Sequence, residues 1–333
     1  MQSTRPVTPH LDLQALVSVV AAALPLTRTL AQQLERVPAI RKPDGSPVTV
    51  VDFVVQAVLV HGLRRLAPST GFICEESRKG MLECDRPDVV RLYLDTVRPL
   101  VGAETDEHAM QLLDPAPPSA DDWWLIDPID GTSGFVAGAH FSVCVARVTG
   151  GRAVMSAVGC PRLQSRGSVD VAADGPGSVV AASRDGGAWN WCEATRAYAP
   201  LARAPWRQPL RWARSVNRRN KVLRAQPAVD SLGFAIESIP IDSQCKYALV
   251  AADRADVAVR LPGRGGPECG WDHVAGTLVA HEAGARSTDV LGKPLDARFG
   301  VRLERNSGVL CAPPELHARM VQALADVAAE TPA

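Results

Sequence analysis

Apolar residues recur with helical spacing over residues 11–37 and stop before Pro38, which predicts one helix there. Residues 1–10 ahead of it read as a loose tail. Residues 41–47 gather Pro, Asp, Gly and Ser and predict a loop. Val48-Thr49-Val50-Val51-Asp52 then leads into a second apolar helix running to about Leu66. Asp52 falls near its first turn, where the positive helix end favours a carboxylate. Residues 71–74 predict a short strand ending on Glu75, Glu76 and Ser77. A charged helix over about residues 88–113, followed by Pro115-Ala116-Pro117-Pro118, is expected on the surface.

Trp123-Trp124-Leu125-Ile126 predicts a short buried strand. It meets Asp127-Pro128 and Asp130-Gly131, both strong turn formers, so a turn is expected to present two carboxylates at a strand end. Residues 141–148 and 152–160 predict paired strands joined by Thr149-Gly150-Gly151, a hairpin signal, and more short strands follow to about Cys192. Residues 199–209, with their Pro and Arg, are the expected junction between a first unit, 1–205, and a second, 206–333. Beyond it the pattern alternates as in α/β units. Strands are predicted over 210–216, 255–261 and 309–312, and helices over 243–254, 270–283 and 313–327.

A chain of 333 residues is long for one simple core, in keeping with two associated units. Lys plus Arg and Asp plus Glu both number 36, so no global basic field argues for a nucleic-acid polymer or an acidic membrane surface. No apolar run is read as reaching the ~20 residues that span a bilayer. The apolar stretch over 16–26 is read as a core helix rather than a signal peptide. The eight cysteines form no CxxC pair and several sit in apolar runs, which predicts reduced, buried thiols in a cytoplasmic protein.

The candidate chemistry lies at the turn. Asp127 and Asp130 offer carboxylates to a divalent cation, and Gly131, Thr132, Ser133 and Gly134 are small residues whose backbone N–H groups a phosphate can approach. An Asp-Pro or Asp-Gly alone marks no more than a polar turn. Here three further acidic elements end apolar segments: Asp52, Glu75-Glu76 and Asp272. Paired carboxylates at ~4 Å repel by roughly 4 kcal/mol at an effective dielectric near 20, so such a cluster calls for cations. Oxygen-only ligands suit Mg²⁺.

These elements carry a family resemblance. Trp124 to Phe135, in the pattern Trp-x-x-Asp-Pro-x-Asp-Gly-Thr-x-x-Phe, resembles the first signature of the lithium-sensitive inositol monophosphatase superfamily. Trp271-Asp272-His273-Val274-Ala275-Gly276 through Ala285 resembles the second. Cys74-Glu75-Glu76-Ser77 and Thr49-Val50-Val51-Asp52 are similar to its Gly-Glu-Glu-Ser and Thr-x-x-Asp. Asp242-Ser243-Gln244-Cys245-Lys246-Tyr247 and the run from Ala255 through Arg260-Leu261-Pro262 are similar to the 3′(2′),5′-bisphosphate nucleotidases within it. Three positions depart from that pattern. Cys74 replaces Gly, Ser133 stands where these nucleotidases often have Lys, and 216–220 replaces a Ser-Ser-His segment, where Asn217 to Arg219 are candidates to grip a second phosphate.

The resemblance implies a layered α/β fold of the inositol monophosphatase and fructose-1,6-bisphosphatase type, with alternating α/β/α/β/α layers. It implies a hydrolase that uses two or three Mg²⁺ ions. Glu75, Asp127 and the Ile129 carbonyl would hold one ion, and Asp127, Asp130 and Asp272 a second. Asp52 with Thr132 would orient the attacking water, and Glu76 would support an ion. Gly131 and Thr132 would hold the phosphate, while Ser243, Lys246 and Arg260 would hold the rest of the substrate. The implied substrate is adenosine 3′,5′-bisphosphate, a by-product of sulfonate transfer in sulfur metabolism. The implied protein is a cytoplasmic monomer or homodimer with no nucleic-acid or membrane partner. Rivals on the same metal site are phosphatases of inositol phosphates or of fructose 1,6-bisphosphate, and a non-catalytic nucleotide or metal sensor. An aspartyl-nucleophile phosphatase needs Asp-x-Asp near the chain start, whereas 127 and 130 are spaced Asp-x-x-Asp. His273 and His281 lack zinc-type spacing and read as packing or capping residues, and the tryptophans as core, with Trp271 bordering the site.

Overall fold

The computed structural model describes residues 8–32, 39–42, 45–118, 121–163, 177–216, 219–262 and 266–330. Helix α1 (Leu11–Ala31) buries Leu13, Leu16, Val17, Val20, Ala23 and Leu24, a spacing of three and four that makes one face. It stops short of the predicted end, and 33–38 lie outside the described residues. Contrary to the sequence reading, this 21-residue helix is long and apolar enough to cross a membrane, because Asp12 and Arg28 sit in its two end turns. Its apolar face is instead part of the protein core.

The ends of the predicted loop over 41–47 pair as strands, β1 (Ile40–Arg41) with β2 (Pro47–Val48), and 43–44 lie outside the described residues. Helix α2 (Val50–Leu66) starts on a capping box: the Thr49 side chain caps the first turn and Asp52 reaches back to the Thr49 N–H. Strand β3 (Gly71–Cys74) has its predicted bounds. An unforeseen helix, α3 (Arg78–Glu83), comes next, and the single charged helix expected over about 88–113 is two, α4 (Pro87–Val101) and α5 (Asp106–Met110). Gly102, at φ +66°, ends α4 in the left-handed conformation that glycine adopts without penalty. Helix α4 is not wholly a surface element, since Val89, Tyr93 and Val97 are buried.

Strand β4 (Asp122–Asp130), helix α6 (Thr132–Val136) and strands β5 (Ser142–Thr149) and β6 (Arg152–Cys160) follow. Gly150 and Gly151 both have positive φ, as the two-residue turn of this predicted hairpin requires. Strands β7 (Ser178–Ser183), β8 (Gly187–Cys192) and β9 (Ala197–Leu201) complete a seven-stranded sheet of order β3-β4-β5-β6-β7-β8-β9. Strand β9 thus occupies the start of the stretch read as a junction.

The second sheet holds β10 (Leu210–Arg214), β11 (Ile236–Pro240), β12 (Val257–Arg260), β13 (Arg286–Thr288) and β14 (Val309–Ala312). Its order is β11-β10-β12-β14-β13, parallel through β12 and antiparallel beyond. The helices here are α7 (Arg219–Asp230), α8 (Cys245–Ala251), α9 (Val274–Glu282) and α10 (Pro314–Glu330). Helix α7 and the short strands β11 and β13 carry too weak a pattern to be read from sequence; β11 is a largely exposed edge strand.

Three cores stack these elements into the expected α/β/α/β/α layers. Trp124, Ile126, Val143 and Val145 face α1, α2 and α4, while Trp123, Leu125, Cys144 and Ala146 face the opposite way. This period-two alternation on both sides is why the run reads as uniformly apolar. The second core joins α8 and α9 to both sheets, and the third packs α7 and α10 on the outer face of the second sheet.

Candidate metal centre

Register brings the first carboxylates together. Strand β3 pairs in parallel with β4, Cys74 opposite Ile126, so the next residues, Glu75 just past the end of β3 and Asp127 within β4, stand side by side. The Glu75 N–H donates to the Ile126 carbonyl at 3.1 Å. The chain does not turn at Asp127-Pro128 as the sequence suggests. The ladder with β5 runs to Asp127 opposite Cys144 and resumes at Asp130 opposite Ser142. Three steps on β4 thus match two on β5, a bulge with one extra residue at a proline that cannot donate to the ladder. In a regular strand, residues three apart face opposite ways; the bulge puts Asp127 and Asp130 on one cavity wall. The turn comes at Gly131, at φ +89°.

Asp272 arrives from just ahead of α9. One carboxylate oxygen from each of Asp127, Asp130 and Asp272 lies within 4.8 Å of the others. Gln244, fully buried, holds two of these elements in place. Its side chain donates to the Trp271 carbonyl at 2.7 Å and accepts from the Gly276 N–H at 2.7 Å, and its own N–H donates to Asp130 Oδ2. Ser142 Oγ also donates to Asp130, at 3.2 Å. Gly276 is required for this approach, because a Cβ there would stand 2.5 Å from the Tyr247 ring. Neither Gln244 nor Ser142 announces this role in the sequence.

The centre is electrostatically unbalanced in a way that fits a cation. Asp127 is 1% exposed, and its Oδ1 is buried without a hydrogen-bond partner. Burial first, then the Glu75, Asp130 and Asp272 charges, holds its carboxyl far above the usual carboxylate range. Burial and the Asp272 charge push Asp130 up to about 7, and burial pushes Glu75 up to about 7 against the pull of Lys42. An orphaned oxygen amid like charges, with an all-oxygen donor set, suits a hard divalent cation.

Behind this cluster, Thr132 Oγ1 lies 3.2 Å from Asp52 Oδ1 and 3.0 Å from the Ile129 carbonyl. The other Asp52 oxygen accepts from the Thr49 N–H at 2.8 Å and the Thr49 hydroxyl at 2.6 Å. Burial raises Asp52 to about 6. Lys42, at the hairpin, is a partner the sequence reading missed: its ammonium donates to Glu76 and, at 3.4 Å, to Glu75. Gln56 on α2 was missed as well; it pairs with the Glu76 backbone through both its amide atoms, at 2.8 and 2.9 Å.

Together with the carboxylates, Ser243, Lys246 and Arg260 line a cavity of about 170 Å³. Ser243 sits at φ +65°, Lys246 Nζ donates to Ser215 Oγ at 3.1 Å, and Arg260 is buried against Glu268 rather than standing on the surface. Glu75, Asp127, Ile129, Asp130, Gly131, Thr132 and Asp272 line the same cavity, whereas Asp52 and Glu76 lie behind its wall. His273 lines it and meets the Tyr247 hydroxyl at 2.8 Å. The Trp271 side chain is not on the wall; it packs against the core. Asn217 and Arg218 lie outside the described residues.

Lys42→Met is expected to lower the melting temperature of the metal-free protein by a few degrees, since Glu75 and Glu76 lose their cation. The gain on saturation with Mg²⁺ is expected to exceed that of the parent. Thermal melts in chelator and in Mg²⁺ read both; an unchanged Mg²⁺ gain would refute competition between the ammonium and the ion.

A profile of the inositol monophosphatase family matches residues 11–329. The chain belongs to this family. The family is one of metal-dependent phosphatases, and the protein is accordingly a phosphatase with acidic groups placed to hold a metal. A 3′(2′),5′-bisphosphate nucleotidase of Schizosaccharomyces pombe is 29% identical over 96% of this chain and 97% of its own. One of Dictyostelium discoideum is 30% identical over 85% and 87%. Among solved structures, an IMPase of Thermotoga maritima shares the fold with a TM-score of 0.64 at 20% identity, covering 96% of this chain and 98% of its own.

Proposed function

We propose that this phosphatase is a 3′(2′),5′-bisphosphate nucleotidase that converts adenosine 3′,5′-bisphosphate to AMP and phosphate. The observation that carries the reading is the cationic wall: Lys246 and Arg260, with Ser243, line one cavity together with the carboxylate cluster. A substrate with two separated phosphates suits such a site: one meets the metal side, the other the cations. The similarity to enzymes of that name over nearly the whole chain supports it.

Glu75, Asp127 and the Ile129 carbonyl are the residues proposed to hold one Mg²⁺, and Asp127, Asp130 and Asp272 a second, with Glu76 supporting a third. When bound, the ions supply positive charge that offsets the carboxylates and the phosphate and acidify a water for in-line attack. Thr132 donates its hydroxyl proton to Asp52, which leaves its oxygen lone pairs to accept from that water and aim it. Asp52 is fixed for this by Thr49. The Gly131 and Thr132 N–H groups hold the reacting phosphate as charge develops on it. Lys246 and Arg260 hold the 5′-phosphate, and Ser243 the nucleoside. We assign the working units to 1–205 and 206–333, with Asp272 and the cationic wall in the second. Eight cysteines that form no disulfide support a reducing compartment such as the cytoplasm.

Phosphate release with Mg²⁺ from adenosine 3′,5′-bisphosphate, inositol 1-phosphate and fructose 1,6-bisphosphate tests the reading. The nucleotide is expected to win in kcat/KM by at least about tenfold, roughly 1.4 kcal/mol of transition-state discrimination. Preference for inositol 1-phosphate would leave the metal centre standing and overturn the substrate.

A further inference from the structure

The cationic wall carries a hydrogen-bonded chain that the proposed chemistry leaves unused. Arg260 Nε donates to Glu268 Oε2 at 2.9 Å. His273 Nε2 lies 3.5 Å from the same oxygen, and the Tyr247 hydroxyl lies 2.8 Å from His273 Nδ1. All four side chains are buried, with Arg260 and Glu268 each 8% exposed. Arg260, His273 and Tyr247 line the cavity, and Glu268 does not. Glu268 engages only the Nε atom of the guanidinium. No hydrogen bond of the two terminal nitrogens is found among the described residues, and neither nitrogen is among the buried, unpartnered atoms. The arginine therefore offers the cavity an open two-nitrogen edge, the geometry that grips a phosphate in a bidentate way.

Resting on the reading of Arg260 as a substrate contact, we infer that Glu268 is a positioning residue that sets how this phosphatase recognises the second anion of its substrate. A buried guanidinium needs a compensating carboxylate. Glu268, which is not on the cavity lining, provides it at Nε, which leaves the two terminal nitrogens for the ligand. Through His273 the same carboxylate reaches the residue next to Asp272, so the anion site and the metal loop share one anchor. By distance alone Glu268, Asp272 and His273 form a further group able to hold a metal ion. The Arg260 cation already on Glu268 and the Tyr247 hydroxyl on His273 favour the ion-pair role over that one.

The test uses full-length protein saturated with Mg²⁺ and the variants Glu268→Gln, Arg260→Gln and the pair, assayed on adenosine 3′,5′-bisphosphate and on adenosine 3′-phosphate. Glu268→Gln is expected to raise KM for the bisphosphate about tenfold with kcat within about twofold of the parent. The KM effect is expected to shrink on the 3′-monophosphate, which lacks the second anion. The double variant is expected to be no worse than Arg260→Gln alone, because both changes remove one interaction. A fall in kcat at constant KM, or effects that multiply in the double variant, would overturn the inference. So would loss of a bound ion from Glu268→Gln, measured by equilibrium dialysis with Mg²⁺. If the parent favours another bisphosphate, the nucleotidase reading alone falls, and the same split and non-additivity are read on that ester; a parent that favours a monophosphate such as inositol 1-phosphate overturns both. A parent inactive on every ester overturns both. Glu268→Asp, which keeps the charge and shortens the reach, is expected to show the same split in smaller measure and serves if Glu268→Gln folds poorly.

Discussion

Asp127→Asn is expected to lower kcat by at least about a thousandfold, some 4 kcal/mol of transition-state stabilisation, while the metal-free protein stays as stable as the parent or becomes more so. The two halves have one cause. Asp127 is the most buried of the clustered carboxylates, with an oxygen that nothing among the described residues satisfies. Its neighbours Glu75, Asp130 and Asp272 each push its proton affinity up. Without a cation its charge is a liability of roughly 4 kcal/mol per close neighbour at an effective dielectric near 20. In the proposed metal-bound state, that charge helps hold the cations. Asparagine keeps the shape and removes the charge, so metal affinity and turnover fall while the repulsion disappears. Phosphate release and thermal melts in chelator measure the two halves. Activity within tenfold of the parent, or a variant that melts well below it, would refute this account of the site.

The second large effect is a stability gain on adding Mg²⁺ that grows with pH. Folded Glu75 and Asp130 hold protons up to about 7 and Asp52 up to about 6, against ordinary values of 4.5 and 3.8. Between those limits the folded metal-free protein binds more protons than the unfolded chain, so these groups lower its stability as pH rises from about 4 to about 7. A carboxylate shifted by two to three units costs roughly 3–4 kcal/mol once the pH exceeds its folded value. His317, lowered to about 4 by burial, works in the opposite direction below pH 6.5, because the unfolded histidine takes up protons first. Comparing melts with and without Mg²⁺ at each pH cancels that contribution, since His317 packs against Thr288, away from the carboxylates. The Mg²⁺-induced rise is expected to be small at pH 5 and several degrees larger at pH 8. Equal rises at both would mean that the carboxylates do not carry the coupling.

What could be read in advance follows the range of the forces involved. The buried strand over Trp123 to Ile126, the double-glycine turn at Gly150 and Gly151 and the place of Asp52 in the first turn of a helix are decided within a few residues, and the sequence alone determined them. The acidic elements were legible for a similar reason: a carboxylate that ends an apolar strand or opens a helix stands out locally. The splitting of the helix over 88–113 was missed because Gly102 interrupts a continuous charged pattern. The single extra residue between Asp127 and Asp130 was missed because a bulge shows only against its partner strand. Tertiary structure alone decided which groups converge. Gln244 reaches Asp130 across 114 residues, Lys42 reaches Glu75 and Glu76 from a hairpin whose strands are two residues long, and Glu268 pairs with Arg260 of the cavity lining. Local periodicity and turn chemistry choose the elements, but the balance of charge in a buried site is summed over neighbours in space, and those neighbours exist only once both sheets have packed on α8 and α9.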